Sequence, residues 1–158
     1  MLSLQKCIKV YGNITIEQLI NQLNTANYIN IYTDGSTQYN VITKVRESGI
    51  GVYFADNDDR NISKLVDTKD NNEAEILAVI EALSMVKQTH HYVHLFTDSR
   101  LIVDAMQGIS SKSKFPLFNQ LDALVLGFID VKFTYIKGHD GNEGNEKADL
   151  LSRQPFKK

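Results

Sequence analysis

Tyr28-Ile29-Asn30-Ile31-Tyr32-Thr33-Asp34-Gly35-Ser36 is a run rich in isoleucine and tyrosine that stops abruptly at Asp-Gly-Ser. β-Branched and aromatic side chains suit a pleated, half-buried strand, and Asp-Gly is a turn signal. The stretch therefore predicts a strand over 28–33 followed by a turn, with Asp34 where the strand emerges. A second stretch repeats the arrangement: Tyr92 to Thr97 reads as a buried strand ending on Asp98-Ser99, with a short helix through Met106. Between the two, 49–55 and 61–66 read as strands joined by the polar turn Asn57-Asp58-Asp59-Arg60. Residues 71–87 read as a helix, because Ile76, Val79, Ile80, Leu83 and Val86 recur at helical spacing. Leu117, Leu121, Leu124, Val125 and Phe128 mark another amphipathic helix, 131–136 a strand, and 142–153 a polar helix. Hairpins first and strand–helix alternation later predict an α/β fold, a mixed sheet flanked by helices. In such sheets, sites gather where strands end and helices begin.

Toward the N-terminus, Cys7 to Tyr11 reads as a strand-like piece. Thr15 with Gln18 forms a capping box ahead of Leu19, Ile20 and Leu23, and Asn24 to Asn27 breaks the pattern. Residues 1–27 are thus an extension of unassigned role, and 28–158 the main domain. A chain of 158 residues, 42% hydrophobic and 23% charged, has the composition of one globular domain. Its longest apolar runs are too short for a bilayer, and the first residues lack a secretory signal, which predicts an intracellular protein with no membrane association. The single cysteine, Cys7, excludes an intramolecular disulfide and a multi-cysteine zinc site. A net charge of −2 and a pI near 6.1 give no global basic field. Composition alone ranks a small-molecule substrate above nucleic acid, but an acidic metal cluster can hide a local basic surface.

Four carboxylates decide more. Asp34 and Asp98 sit at strand ends, Glu75 in the first turn of the long helix, and Asp149 in the last helix, after Gly138-His139. Singly, each has an ordinary explanation: a turn residue, a helix N-cap, a first-turn dipole partner and a solvated face. Together they fit a hard divalent ion. Mg²⁺ prefers oxygen ligands, and a two-metal site activates water with one ion and stabilises the leaving oxygen with the other.

Tyr32-Thr33-Asp34-Gly35-Ser36, Asn71-Asn72 with Glu75, Thr97-Asp98-Ser99, and Gly138-His139 followed by Gly144-Asn145-Glu146 and Asp149 resemble type 1 ribonuclease H, in the family's order. The resemblance runs from about Tyr28 to Arg153. It implies a five-stranded mixed sheet, three antiparallel strands then two parallel, with helices on both faces. It implies an endonuclease that hydrolyses the RNA strand of RNA/DNA hybrids and leaves 5′-phosphate and 3′-hydroxyl ends. Asp34, Glu75, Asp98 and Asp149 would hold two Mg²⁺ ions, for which Mn²⁺ may substitute. Asp34 would bridge both, and His139 would assist proton transfer or product departure. Substrate contact falls by the same resemblance to Gly35, Ser36, Asn40, Asn71, Asn72, Arg100, Phe118 and Asn145. Asparagine both donates and accepts hydrogen bonds, and the 2′-hydroxyl separates RNA from DNA. The expected partner is the hybrid, with no small-molecule cofactor, and the protein is expected to be a monomer.

The sequence also departs from the family. Many cellular members carry a basic, tryptophan-containing protrusion, where this chain has only 107–115 with Lys112 and Lys114, and no tryptophan. Asp70 stands where relatives often place a threonine that contacts a DNA phosphate, Arg100 replaces a common glutamine, and Phe118 a frequent tryptophan. Weaker hybrid binding follows as an expectation. Two rival readings remain: a noncatalytic hybrid-binding or accessory module of the same fold, and a DNA-cutting nuclease of related fold.

Overall fold

The computed structural model describes residues 12–157; the strand-like piece expected at Cys7 to Tyr11 lies outside them. In chain order the elements are α1 (Ile16–Thr25), β1 (Ile29–Asn40), β2 (Val45–Tyr53), β3 (Ile62–Val66), α2 (Asn71–Val86), β4 (Tyr92–Thr97), α3 (Arg100–Met106), α4 (Leu117–Val125), β5 (Asp130–Tyr135) and α5 (Glu143–Arg153), then a 3₁₀ turn (Gln154–Phe156). The five strands form one mixed sheet in the order β3-β2-β1-β4-β5. β1 pairs antiparallel with β2 and parallel with β4; β2–β3 is antiparallel and β4–β5 parallel.

β1 corrects the sequence expectation in an instructive way. The strand does not turn at Asp34-Gly35-Ser36 but continues to Asn40, and these residues pair with Gly51, Ile50 and Gly49 of β2. The hairpin comes later, where the Asn40 side chain accepts from the Ile42 and Thr43 amides and Lys44 takes a φ of 61°. β2 accordingly begins at Val45 rather than Gly49. Gly35 serves a different purpose from a turn. A Cβ on it would stand 2.4 Å from the Glu75 amide nitrogen, so its bare backbone lets α2 settle directly onto β1.

The core lies on that face of the sheet. Ile31, Val52, Val93 and Leu95 from the strands meet Ile76, Val79, Leu83 and Val86 of α2, and Val103, Phe118 and Leu121 of α3 and α4. Full burial of one such side chain is worth about 1.5–3 kcal/mol. Asp70 caps α2, its carboxylate accepting from the Asn72 and Glu73 amides. The opposite face carries α5, which rests on β1 and β2. There Gly49 and Gly51 leave room for the α5 backbone, and Gly144 of α5 lies against the Tyr32 ring.

α1 opens with the expected capping box between Thr15 and Gln18. Ile14 and Leu19 pack with Tyr28 on Tyr92 and Ile129, at the start of β4 and β5.

Candidate active site

Parallel pairing between β1 and β4 ends at Thr33 opposite Thr97. The next residue on each strand is an aspartate, so Asp34 and Asp98 emerge side by side at the carboxyl end of the pair. β1 runs on beside β2 alone, while β4 gives way to α3, whose N-cap is Ser99 rather than Asp98. The opening this creates on the β4 side of β1 is reached by Glu75 from α2. Glu75 lies just past the first turn, a correction to its expected place, and is buried. Ligand oxygens of Asp34, Glu75 and Asp98 all lie within 4.8 Å of one another.

Three carboxyls this close, mostly out of water, disfavour their charged forms. Burial pushes the Asp34 carboxyl up to about 8, with the charges of Asp98 and Asp149 adding to it and the Ser152 hydroxyl opposing it. Glu75 is raised well above the carboxylate range by burial, then by the charges of Asp34 and Asp98. Asp98, half-buried, is also raised by burial first, with His139 opposing. Glu75 Oε2 is buried and has no hydrogen-bond partner among the described residues. An oxygen-only donor set under mutual repulsion, with one oxygen unpaired, fits a hard divalent cation, which would relieve both penalties.

Asp149 adjoins this trio without joining it. Its side chain is 19% exposed, so it is no solvated face, and its Oδ2 receives Arg153 Nη2 at 2.6 Å. One turn on, Ser152 places its hydroxyl 2.7 Å from Asp34 Oδ2. His139 is exposed, at a φ of 56° on the loop between β5 and α5. The residue before it, Gly138, packs so closely on Asp98 that a Cβ there would meet Oδ2 at 2.8 Å.

The residues expected at the substrate divide into two groups. Asn71 and Asn72 are exposed at the start of α2, freed from capping by Asp70, and Arg100 is exposed with its guanidinium 3.8 Å over the Tyr135 ring. Ser36 and Asn40 are partly exposed on β1, the Asn40 carbonyl being engaged in the hairpin turn. Phe118, by contrast, is 1% exposed inside the core and offers no face to a ligand. Asn145 is also buried, its amide held by the Asn142 side chain, and Gly35 lies beneath α2. These three side-chain positions are buried and present no surface to a substrate. Sequence reasoning missed Ser152 and the Gly138 contact. Only the serine at helical spacing from Asp149 hints at the first, and nothing local marks the second.

A mixed sheet that brings three carboxyls together at the open end of its central parallel pair is an α/β fold with a site that could hold a divalent metal ion. The family model described as RNase H matches residues 26–157. Ribonuclease H of Ehrlichia canis is 33% identical over 147 residues, covering 84% of this chain and 97% of that protein. Ribonuclease H of Ruthia magnifica subsp. Calyptogena magnifica is 31% identical over 140 residues, covering 80% and 93%. The structure of LC11-RNase H1 in complex with an RNA/DNA hybrid aligns with a TM-score of 0.61 at 25% identity, over 80% of this chain and 94% of that one. The chain belongs to the RNase H family, to its type 1 branch, and is a ribonuclease H enzyme. Among the described residues no helix is long and apolar enough to cross a membrane.

Proposed function

We propose that this enzyme hydrolyses the RNA strand of RNA/DNA hybrids endonucleolytically, leaving 5′-phosphate and 3′-hydroxyl ends. The observation that carries this reading is the trio of Asp34, Glu75 and Asp98, two buried and one half-buried, with ligand oxygens within 4.8 Å at the end of β1 and β4. The hybrid complex of LC11-RNase H1 supports the substrate. The catalytic domain is 28–158, and it acts as a monomer.

Asp34, Glu75, Asp98 and Asp149 would hold two Mg²⁺ ions, or Mn²⁺ in their place. When bound, such ions supply an activated water and charge stabilisation at the leaving oxygen. The chain's own residues do the rest. β1 and β4 fix Asp34 and Asp98 on rigid backbone, which keeps the carboxylates in place without loop motion. Asn71 and Asn72, one turn before Glu75, present donors and acceptors beside the carboxylates, where base edges and a ribose 2′-hydroxyl can be read. His139 carries an imidazole, able to take up and give up a proton, on a loop that abuts Asp98.

The test is cleavage of an end-labelled RNA strand paired with DNA, by wild type and Asp98→Asn, in Mg²⁺, Mn²⁺ or EDTA. RNA/RNA, DNA/DNA and single-stranded RNA serve as controls. We expect cutting confined to the hybrid, lost in EDTA, and reduced about 10²- to 10³-fold by the substitution, as when a transition-state charge loses its partner. Cutting of DNA/DNA, or none by folded wild type in either metal, refutes the proposal.

A further inference from the structure

Ser152 is fully buried in the last turn of α5, and its hydroxyl lies 2.7 Å from Asp34 Oδ2 and 2.7 Å from the Asp149 carbonyl. A serine has one hydroxyl hydrogen, so it serves one of these acceptors at a time. Bonding back to a carbonyl of its own helix would satisfy a buried serine with no partner elsewhere. The second acceptor, a carboxylate on another element, therefore calls for a separate cause.

The backbone supplies one. A Cβ on Gly49 would stand 2.4 Å from the Ser152 carbonyl oxygen, and one on Gly51 would stand 2.6 Å from the Ser152 amide and 2.1 Å from the Ala148 carbonyl. Gly51 is also the register partner of Asp34. Two bare positions on β2 thus let α5 sink onto the sheet right beside Asp34, at a depth no larger residue would permit. Ser152 is the side chain that this approach delivers to the carboxylate.

We infer that Ser152 is a positioning residue: its hydroxyl donates to Asp34 Oδ2, fixes the side-chain torsion of Asp34, and presents that carboxylate to the cation shared with Glu75 and Asp98. It acts through Asp34. The inference rests on the metal-dependent reading of the site above, and it adds a residue outside the four carboxylates. A hydrogen bond to a charged group is worth about tenfold in an equilibrium constant, so its loss should appear first in metal affinity. Substrate affinity, carried by Asn71, Asn72 and other exposed groups, should not change.

The experiment compares wild type, Ser152→Ala and Ser152→Cys as the full chain. Cysteine keeps most of the volume but is a weak donor. Mn²⁺ is titrated calorimetrically into the nucleic-acid-free protein, and hybrid cleavage is measured for kcat and KM. We expect Mn²⁺ affinity to fall about tenfold in Ser152→Ala, with Ser152→Cys between it and wild type. kcat at limiting metal should fall in step, with KM for the hybrid unchanged. Wild-type Mn²⁺ affinity in folded Ser152→Ala overturns the inference. If Ser152→Ala does not fold, Ser152→Cys decides alone: weakened binding supports the inference and unchanged binding overturns it. Wild type that binds Mn²⁺ yet cuts no hybrid defeats the proposed function while leaving Ser152 its role. Wild type that binds no Mn²⁺ overturns both.

Discussion

Asp34 sits under α5 with Ser152 on one oxygen and with Glu75, Asp98 and Asp149 close by, and its carboxyl is pushed up to about 8 by burial and then by its acidic neighbours. In the unfolded chain an aspartate releases its proton near pH 4. Between about pH 4 and pH 8 the metal-free folded state therefore holds more protons than the unfolded state, and stability falls as pH rises through that window. Asn at position 34 removes the titrating group and lowers the repulsion on Glu75. Thermal melts in EDTA should show wild type losing Tm between pH 5 and pH 8, with Asp34→Asn flatter and, at pH 8, higher by roughly 2–6 °C. Adding Mg²⁺ at pH 8 should raise the Tm of wild type and leave Asp34→Asn nearly unmoved. Parallel pH slopes for the two proteins in EDTA would contradict this account of the site. The stability lost here is the counterpart of function: the same crowded carboxylates that weaken the empty fold make it receptive to a cation.

At the scale of elements, the approach of α2 to β1 organises everything nearby, and Gly35 controls it. A methyl group there would meet the backbone of Ala74 and Glu75 at 2.6 and 2.4 Å, not a flexible side chain that could swing aside. Gly35→Ala should thus force α2 outward at about 2–4 kcal/mol, a Tm loss of roughly 5–15 °C, and carry Glu75 out of reach of Asp34 with loss of cleavage. A wild-type Tm with retained activity, read by calorimetry and hybrid cleavage, would show that the helix is not seated on this glycine. The same residue explains where reading the sequence fell short. Asp-Gly after a β run has two physical causes, a turn or a close backbone approach, and only a partner 40 residues away distinguishes them. Strand identity, α2, α5 and the three carboxyls the structure brings together were legible because periodicity and flanking words are local. The length of β1, the core position of Phe118 and the arrival of Ser152 at Asp34 depend on packing between distant elements. Phe118 shows this plainly: its apolar spacing along α4 fits a core residue and a stacking platform equally well, and only the burial of that face decides.

The whole molecule carries a net charge of −2, and at least eight of its 17 lysines and arginines are already engaged within the fold. Arg60, Lys64, Lys112, Lys147 and Arg153 pair with Asp58, Glu81, Asp122, Asp56 and Asp149. Arg100, Lys114 and Lys132 lie over the rings of Tyr135, Phe115 and Tyr28. Lys112 and Lys114, the only basic residues where relatives carry a protrusion, are both among these committed groups. Asp70 adds a carboxylate at the start of α2, beside Asn71 and Asn72, where the hybrid is proposed to lie. Backbone electrostatics should therefore fall to exposed cations outside these pairs, such as Lys69 and Lys137, with recognition resting on the asparagines and on the metal site. Each neutralised phosphate adds about 0.9 to the slope of log affinity against log salt, and a protein with 6–10 such contacts loses about 10³–10⁵ between 50 and 200 mM. With some three or four contacts, this enzyme should show a slope between about −2 and −4 and lose only about 20- to 250-fold over that range. Fluorescence anisotropy of a labelled hybrid with Asp98→Asn, whose cutting is expected to be too slow to interfere, measures it directly. A slope steeper than about −6 would mean that more than about six phosphates are neutralised and would overturn this account of sparse backbone contact.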